Sequence, residues 1–288
     1  MPYPQVYLNG QYLPLEEAKI PVLDRGFLFG DGVYEVIPAY AGHLFRLEQH
    51  LERLDNSLRA IRMEPPLPHG EWRQILETLV RQGQADQSIY LQVTRGAAGN
   101  RDHEIPRDIS PTLFAMASPL PEPAPERMKN GISAITLDDI RWQHCNIKAI
   151  TLLANVLLKQ QAIDEHAAEA ILIRDGQAVE GSVSNVFIVK EGLIITPPKS
   201  NQLLPGITRD LVLELAAAAG MPYAEASIGL SDLEQADEIW LTSSTKEVMA
   251  VTRLNGAAVA DGRPGPVWAR VAQLYQACKE RLREGADG

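Results

Sequence analysis

Ser118-Pro119-Leu120-Pro121-Glu122-Pro123-Ala124-Pro125 sets four prolines at alternate positions near the middle of a 288-residue chain. Proline fixes its own φ and lacks an N–H donor, so such a stretch propagates neither a helix nor a central strand. It reads as an extended linker over 119–125. The chain is thereby divided into a smaller N-terminal α/β domain, 1–118, and a larger C-terminal one, 126–288.

Working outward, both halves mix helical and strand periodicities. Leu47, Leu51, Leu54, Leu58 and Ile61 line one face of an amphipathic helix, and a second helix is expected over Glu71–Arg81. Ile89, Leu91 and Val93 alternate with polar residues as a half-buried strand does, and Thr112–Ala117 resembles another. Beyond the prolines the pattern predicts a strand at Ile132–Leu137 and a helix from Thr151 to Asp164. Two hairpins follow, turning at Asp175-Gly176 and at Glu191-Gly192. Helices are then expected from Gly206 to Ala219, after a capping box at Ser231–Glu234, and over Pro266–Arg283, with a strand at Glu238–Thr242. The expected class is a two-domain α/β fold of the mixed, α+β kind.

Composition removes several functions. Net charge is −10 and the pI is about 5.2, so the surface repels nucleic acid and anionic lipid. No apolar run reaches the ~20 residues that span a bilayer. The start MPYPQVYLNGQYL lacks the pattern of a signal peptide. Cys145 and Cys278 form no CxxC pair, and the histidines show no HExxH spacing, so neither a disulfide framework nor a metal site is expected. A cytoplasmic location fits.

Three strings carry chemistry. Lys148 lies among Ile147, Ala149 and Ile150, ahead of an apolar helix. Most lysines are solvated surface residues, but one held among apolar groups has its ammonium disfavoured and its amine made nucleophilic. Glu180-Gly181-Ser182-Val183-Ser184-Asn185 could close a tight turn with its carboxylate in solvent, or set Glu180 against a ring nitrogen. Leu203-Leu204-Pro205-Gly206-Ile207-Thr208 opens a helix, either with Thr208 as an ordinary cap or with backbone N–H groups at Ile207 and Thr208 turned to an anion. Thr242-Ser243-Ser244-Thr245 adds hydroxyl donors, and Arg53 a two-pronged guanidinium. Together these form a phosphate cup without a Walker or GxGxxG motif.

In sequence order, Asp24-Arg-Gly-Phe-Leu-Phe-Gly-Asp-Gly-Val-Tyr-Glu35, His50-x-x-Arg53-Leu54, Asn146-Ile147-Lys148, EGSVSN at 180–185, GITRD at 206–210 and LTSST at 241–245 resemble the fold-type IV pyridoxal-phosphate (PLP) enzymes. The resemblance runs from about residue 5 to residue 265. It implies pyridoxal 5'-phosphate as cofactor, bound in the C-terminal domain. Lys148 would form the Schiff base and move the substrate's proton, and Glu180 would face the pyridine nitrogen. Arg53, Ile207, Thr208 and Thr245, with Ser244 nearby, would hold the phosphate, while Leu204 packs on the ring. A homodimer with active sites near the interface is also implied.

Within that family, Arg101-Asp102-His103 after the strand Ile89–Thr94 resembles the carboxylate trap of the D-amino-acid aminotransferases. In those enzymes the loop comes from the neighbouring subunit and works with a tyrosine matching Tyr34. Arginine suits this task because its fork donates two parallel hydrogen bonds to a carboxylate. The implied reaction moves an amino group from a D-amino acid, such as D-alanine, to a 2-oxo acid, 2-oxoglutarate or pyruvate. A branched-chain L-aminotransferase, an aminodeoxychorismate lyase and an (R)-amine transaminase share the cofactor residues and remain alternatives. Val183 departs from the family pattern, standing where a third serine can occur.

Overall fold

A computed structural model describes residues 5–80 and 85–285. The chain divides into two compact units. The first comprises 1–121, 147–152 and 281–288, and the second 122–146 and 153–280. The division falls inside the proline stretch, but Pro119 still ends a strand and Pro125 already opens a helix, so the linker is shorter than 119–125. Proline is well suited to that first helical position, where its missing N–H would have no partner. A second difference concerns Lys148: its segment, 147–152, belongs to the first unit and not to the C-terminal part that the linear reading assigned it.

The first unit is built on a six-stranded antiparallel sheet. Its strands are β1 (Gln5–Leu8), β2 (Gln11–Pro14), β3 (Gly32–Tyr40), β4 (His43–Leu44), β5 (Gln87–Thr94) and β6 (Thr112–Pro119), in the order β2-β1-β6-β5-β3-β4. A short helix, α1 (Arg25–Phe29), precedes β3. Helices α2 (Leu47–Ala60) and α3 (His69–Leu79) cover one face. The expected Leu47–Ile61 stripe faces inward, with Ile61 partly buried at its end, and meets Trp72, Ile75 and Leu76 of α3. Val33, Ile37, Ile89, Leu91 and Val93, alternating along β3 and β5, complete this core. The helix expected to reach Arg81 ends at Leu79, and Arg81 lies outside the described residues.

The second unit carries a ten-stranded mixed sheet. It begins with α4 (Pro125–Asn130) and β7 (Ile132–Asp138), then α5 (Leu153–Asp164) and β8 (Glu169–Arg174). β7 and β8 are parallel, as a strand–helix–strand crossover requires. β9 (Gln177–Gly181) pairs back on β8, and β10 (Asn185–Lys190) with β11 (Leu193–Thr196), giving the two expected hairpins. Asp175, Gly176, Glu191 and Gly192 all take positive φ, the backbone that tight hairpin turns demand. α6 (Ile207–Ala218), β12 (Tyr223–Glu225), β13 (Ile228–Gly229), α7 (Leu230–Glu234), β14 (Glu238–Ser243), β15 (Glu247–Leu254), β16 (Ala257–Ala258) and α8 (Pro266–Arg283) complete the chain.

Two caps are glycines, which at α6 decides between the two readings of Thr208 and at α7 differs from the expected start at Ser231. The cap of α6 is Gly206, so Thr208 lies inside the helix. The box on α7 is closed by the Gly229 N–H donating to Asp232 Oδ2 at 3.1 Å, leaving Ser231 within the helix. Both sites favour a residue without Cβ ahead of the helix over a hydroxyl two positions later.

Candidate active site

In the first unit Lys148 is fixed by its backbone. Its N–H donates to Ser57 Oγ (3.2 Å), and its carbonyl accepts from the Tyr34 N–H (3.0 Å). Ile150 N–H donates to the Gly32 carbonyl (3.0 Å), and Val33 bridges Ala149, so residues 148–150 lie against β3 as a short strand would. Pinned in this way, the half-buried side chain places its Nζ 4.2 Å from the centre of the Tyr34 ring. The structure thus brings two of the expected site residues together. Tyr34 also neighbours the Tyr90 ring at 5.8 Å, and burial followed by Tyr34 pushes the Tyr90 phenol up to about 12.

Arg53 lies one turn beyond His50 on α2, and both reach the fully buried Glu35 of β3. The guanidinium donates through Nε (2.8 Å) and Nη2 (2.7 Å), and His50 Nδ1 lies 2.7 Å from Glu35 Oε2. Burial would raise the Glu35 carboxyl, but Arg53 and His50 together hold it down at about 2. Burial lowers His50 below its ordinary value. Glu35 stood in the quoted motif without a role, and its period-2 register with Val33 and Ile37 was the signal that it faces inward.

Arg101 and His103 sit in the irregular segment after β5, and both are exposed. They flank Phe29: the Arg101 guanidinium lies 5.0 Å from its ring centre, and the His103 ring 5.2 Å away.

In the second unit Glu180 is buried at the end of β9. One carboxylate oxygen meets Arg141 Nη1; the other accepts from the Leu204 N–H (3.0 Å) and Asn185 Nδ2 (3.3 Å). Burial raises its pKa against the opposing pull of Arg141. Arg141 is gripped from behind by Asp139 through two contacts of 2.9 Å, and Arg174 reaches the same aspartate at 2.7 Å. Burial would raise Asp139 as well, but Arg141 and Arg174 outweigh it and hold the carboxyl below its ordinary value. Arg141 and Asp139 went unread in the sequence, since charges around an exposed tryptophan look like solvated surface.

Asn185 ties this carboxylate to the opening of α6, donating to the Leu204 carbonyl at 2.8 Å. Gly206 is needed there: a Cβ would stand 1.9 Å from Asn185 Oδ1. The cap makes no side-chain hydrogen bond, so the N-terminal amides of Ile207 and Thr208 keep the positive pole of a 12-residue helix uncapped by a side chain. Asn185 is register partner to Thr242 of β14. The buried hydroxyls of Thr242 and Ser184 have no hydrogen-bond partner among the described residues. Ser244 and the exposed Thr245 occupy the turn between β14 and β15.

Residues 32–254 match the family model of amino-transferase class IV. The chain is 42% identical to a D-alanine aminotransferase of Bacillus licheniformis, covering 94% of this chain and 96% of that one. It is 39% identical to one from Listeria monocytogenes, with 94% of each covered. Among solved structures it is similar to the branched-chain aminotransferase of the archaeon Thermoproteus uzoniensis with norvaline, at a TM-score of 0.86, 27% identity and coverage of 98% and 95%. A hypothetical aminotransferase of Mycobacterium tuberculosis in its PLP-bound form gives 0.82, 27%, 95% and 98%. The chain therefore belongs to the class IV aminotransferases, fold-type IV enzymes that work with pyridoxal phosphate. The donors within the second unit fit that group, a buried carboxylate for a pyridine nitrogen and a helix N-terminus for a phosphate, with buried hydroxyls that have no partner among the described residues; the first unit, taken by itself, offers a primary amine for an aldehyde.

Proposed function

We propose that this enzyme transfers the amino group of a D-amino acid such as D-alanine to 2-oxoglutarate or pyruvate. The observation that carries the reading is the 4.2 Å approach of Lys148 Nζ to the Tyr34 ring. An α-amino acid bears its amino and carboxylate groups on one carbon. A reacting amine and a carboxylate-binding tyrosine must then be close neighbours, as these two are. The relatives named D-alanine aminotransferases supply the substrate and its handedness.

Bound pyridoxal phosphate supplies a ring that accepts the electron pair left when the substrate loses its Cα proton. Lys148 would hold the cofactor through its amine until the substrate's amino group displaces it, and the freed amine would then take and return the substrate's Cα proton. Glu180 holds a proton at the pyridine nitrogen, and Arg141 and Asn185 orient its carboxylate. The amides of Ile207 and Thr208, the hydroxyls of Thr208, Ser244 and Thr245, and Arg53 bind the phosphate, Glu35 fixing the plane of that guanidinium. Leu204 packs against the ring. Tyr34, Arg101 and His103 receive the substrate carboxylate. With carboxylate and lysine both fixed, one enantiomer alone turns its Cα–H toward Lys148.

The enzyme acts as a homodimer. α5 exposes Leu153 (72%), Val156 (59%) and Leu157 (54%) at helical spacing, an apolar strip that a second copy would cover. Its two cysteines are unpaired, in keeping with a cytoplasmic location, and among the described residues no helix is long and apolar enough to cross a membrane.

The test is the visible absorption of cofactor-loaded protein mixed separately with D-alanine, L-alanine and L-leucine. Loss of the cofactor band with D-alanine alone is the expected result. Loss with the L-amino acids alone would overturn the stereochemistry and select a branched-chain L-aminotransferase.

A further inference from the structure

Residues 98–111 contain no helix or strand, yet this segment carries the exposed Arg101 and His103. Two side chains from α1 reach it. The Arg25 guanidinium is buried, and its Nη1 donates to the backbone carbonyls of Asp102 (2.6 Å) and Glu104 (3.3 Å). Its Nε donates to Asp31 Oδ2 at 2.8 Å. Asp31 is gripped from the other side by Arg95, through 2.8 Å and 3.0 Å contacts. Arg95 is in turn anchored on the carbonyls of Ile61 and Arg62 at the end of α2. The loop backbone is thus tied through Arg25, Asp31 and Arg95 to the end of α2.

The second tie is Phe29. Its ring has Arg25 at 4.8 Å, Arg101 at 5.0 Å and the His103 ring at 5.2 Å. An exposed arginine loses rotamer freedom when it binds a carboxylate, and a residue that already restricts it lowers that cost. An aromatic face does this while leaving the planar guanidinium edge free to donate.

We infer that Arg25 and Phe29 are positioning residues for substrate-carboxylate recognition, Arg25 fixing the loop backbone and Phe29 seating the side chains of Arg101 and His103. This rests on the reading of those two residues as the carboxylate trap. Clamp and trap lie in one chain, so wherever the loop is presented its clamp goes with it.

The test compares steady-state kinetics of Phe29→Leu, Arg25→Lys and Arg101→Ala holoenzymes with D-alanine and 2-oxoglutarate. Phe29→Leu keeps the bulk and removes the ring face, and should raise KM for both substrates about 2- to 5-fold. Arg25→Lys keeps the charge beside Asp31 but loses the planar fork, and should raise KM about tenfold. In both, KM should rise more than kcat falls, with the cofactor spectrum unchanged; a merely structural role would not produce that split. If Arg101→Ala raises KM while Phe29→Leu leaves it unchanged, or lowers kcat alone, the positioning role is wrong and the trap stands. An Arg101→Ala enzyme with unaltered KM would overturn the trap itself and this inference with it.

Discussion

Replacing Glu35 by Gln should cost the cofactor-free protein about 3 kcal/mol, and the structure allows that figure to be reached in two ways. Glu35 is 0% exposed and Arg53 7%, and they are joined by two hydrogen bonds. Removing one member of such a pair leaves an uncompensated buried charge, a loss of about 3–5 kcal/mol. Independently, the carboxyl falls from an ordinary 4.5 to about 2, which at ~1.4 kcal/mol per unit corresponds to about 3 kcal/mol. The sign follows from the direction of the shift. A carboxyl whose folded pKa is depressed stabilises fully above its unfolded value and loses that contribution as pH falls through the folded one. The gap between wild type and Glu35→Gln should be wide at pH 7 and close between pH 4.5 and 2. Scanning calorimetry at neutral pH should show the melting temperature lowered by about 10 °C. Adding Arg53→Met should restore part of the loss, since an apolar replacement of a whole buried pair is often tolerated. A shift below about 3 °C, or a gap that persists undiminished to pH 2, would refute the pairing argument.

Three further outcomes are expected. Lys148→Ala should lower transamination by at least about a thousandfold with an unchanged circular dichroism spectrum, because the amine is the proposed proton carrier; near-normal turnover would remove it from that role. Gly206→Ala drives a Cβ to 1.9 Å from Asn185 Oδ1 and disturbs its bonds to Leu204 and Glu180. Fluorescence titration should then find pyridoxal phosphate bound about tenfold or more weakly, and unaltered affinity would separate Asn185 from cofactor binding. Gly96 has φ +97° and its Cβ would meet the Ser110 carbonyl at 1.9 Å, so Gly96→Ala should destabilise by about 2 kcal/mol or more in denaturant titrations, and an unshifted midpoint would contradict the contact.

Periodicity made much of this molecule legible. The leucine spacing of α2 and the alternation of Ile89, Leu91 and Val93 report one buried face each, and burial of a face is what the two patterns encode. Asp175-Gly176 and Glu191-Gly192 announced their turns through backbone preference. What stayed hidden is non-local. No local pattern says that β6 inserts between β1 and β5, nor that 147–152 leaves its neighbours to join the first unit. Arg141 and Asp139 were silent for a related reason, and Glu35 showed only its register with Val33 and Ile37, not its partner. A charge reads as solvated until its buried partner is known: Arg53 and Glu180, the partners of Glu35 and Arg141, lie on other elements, and Asp139 meets Arg174 of β8 as well as Arg141 two residues on. α5 was read as an ordinary helix, but its apolar residues lie on more than one side, leaving Leu153, Val156 and Leu157 outward.

The hydrogen bonds between residues 148–150 and β3 bear on how the chain acquires its shape during synthesis. β4 covers β3 only at Ala39 and Tyr40, so the Gly32–Tyr34 end has a bare flank until residues 148–150 arrive. A nascent chain released only as far as Pro121 would present that flank to other chains, and an unpaired strand edge invites misassembly. Premature termination products of this protein should therefore aggregate more readily than those that extend past Leu152. The segment that carries the proposed reactive amine would also be the one that shields the growing polypeptide.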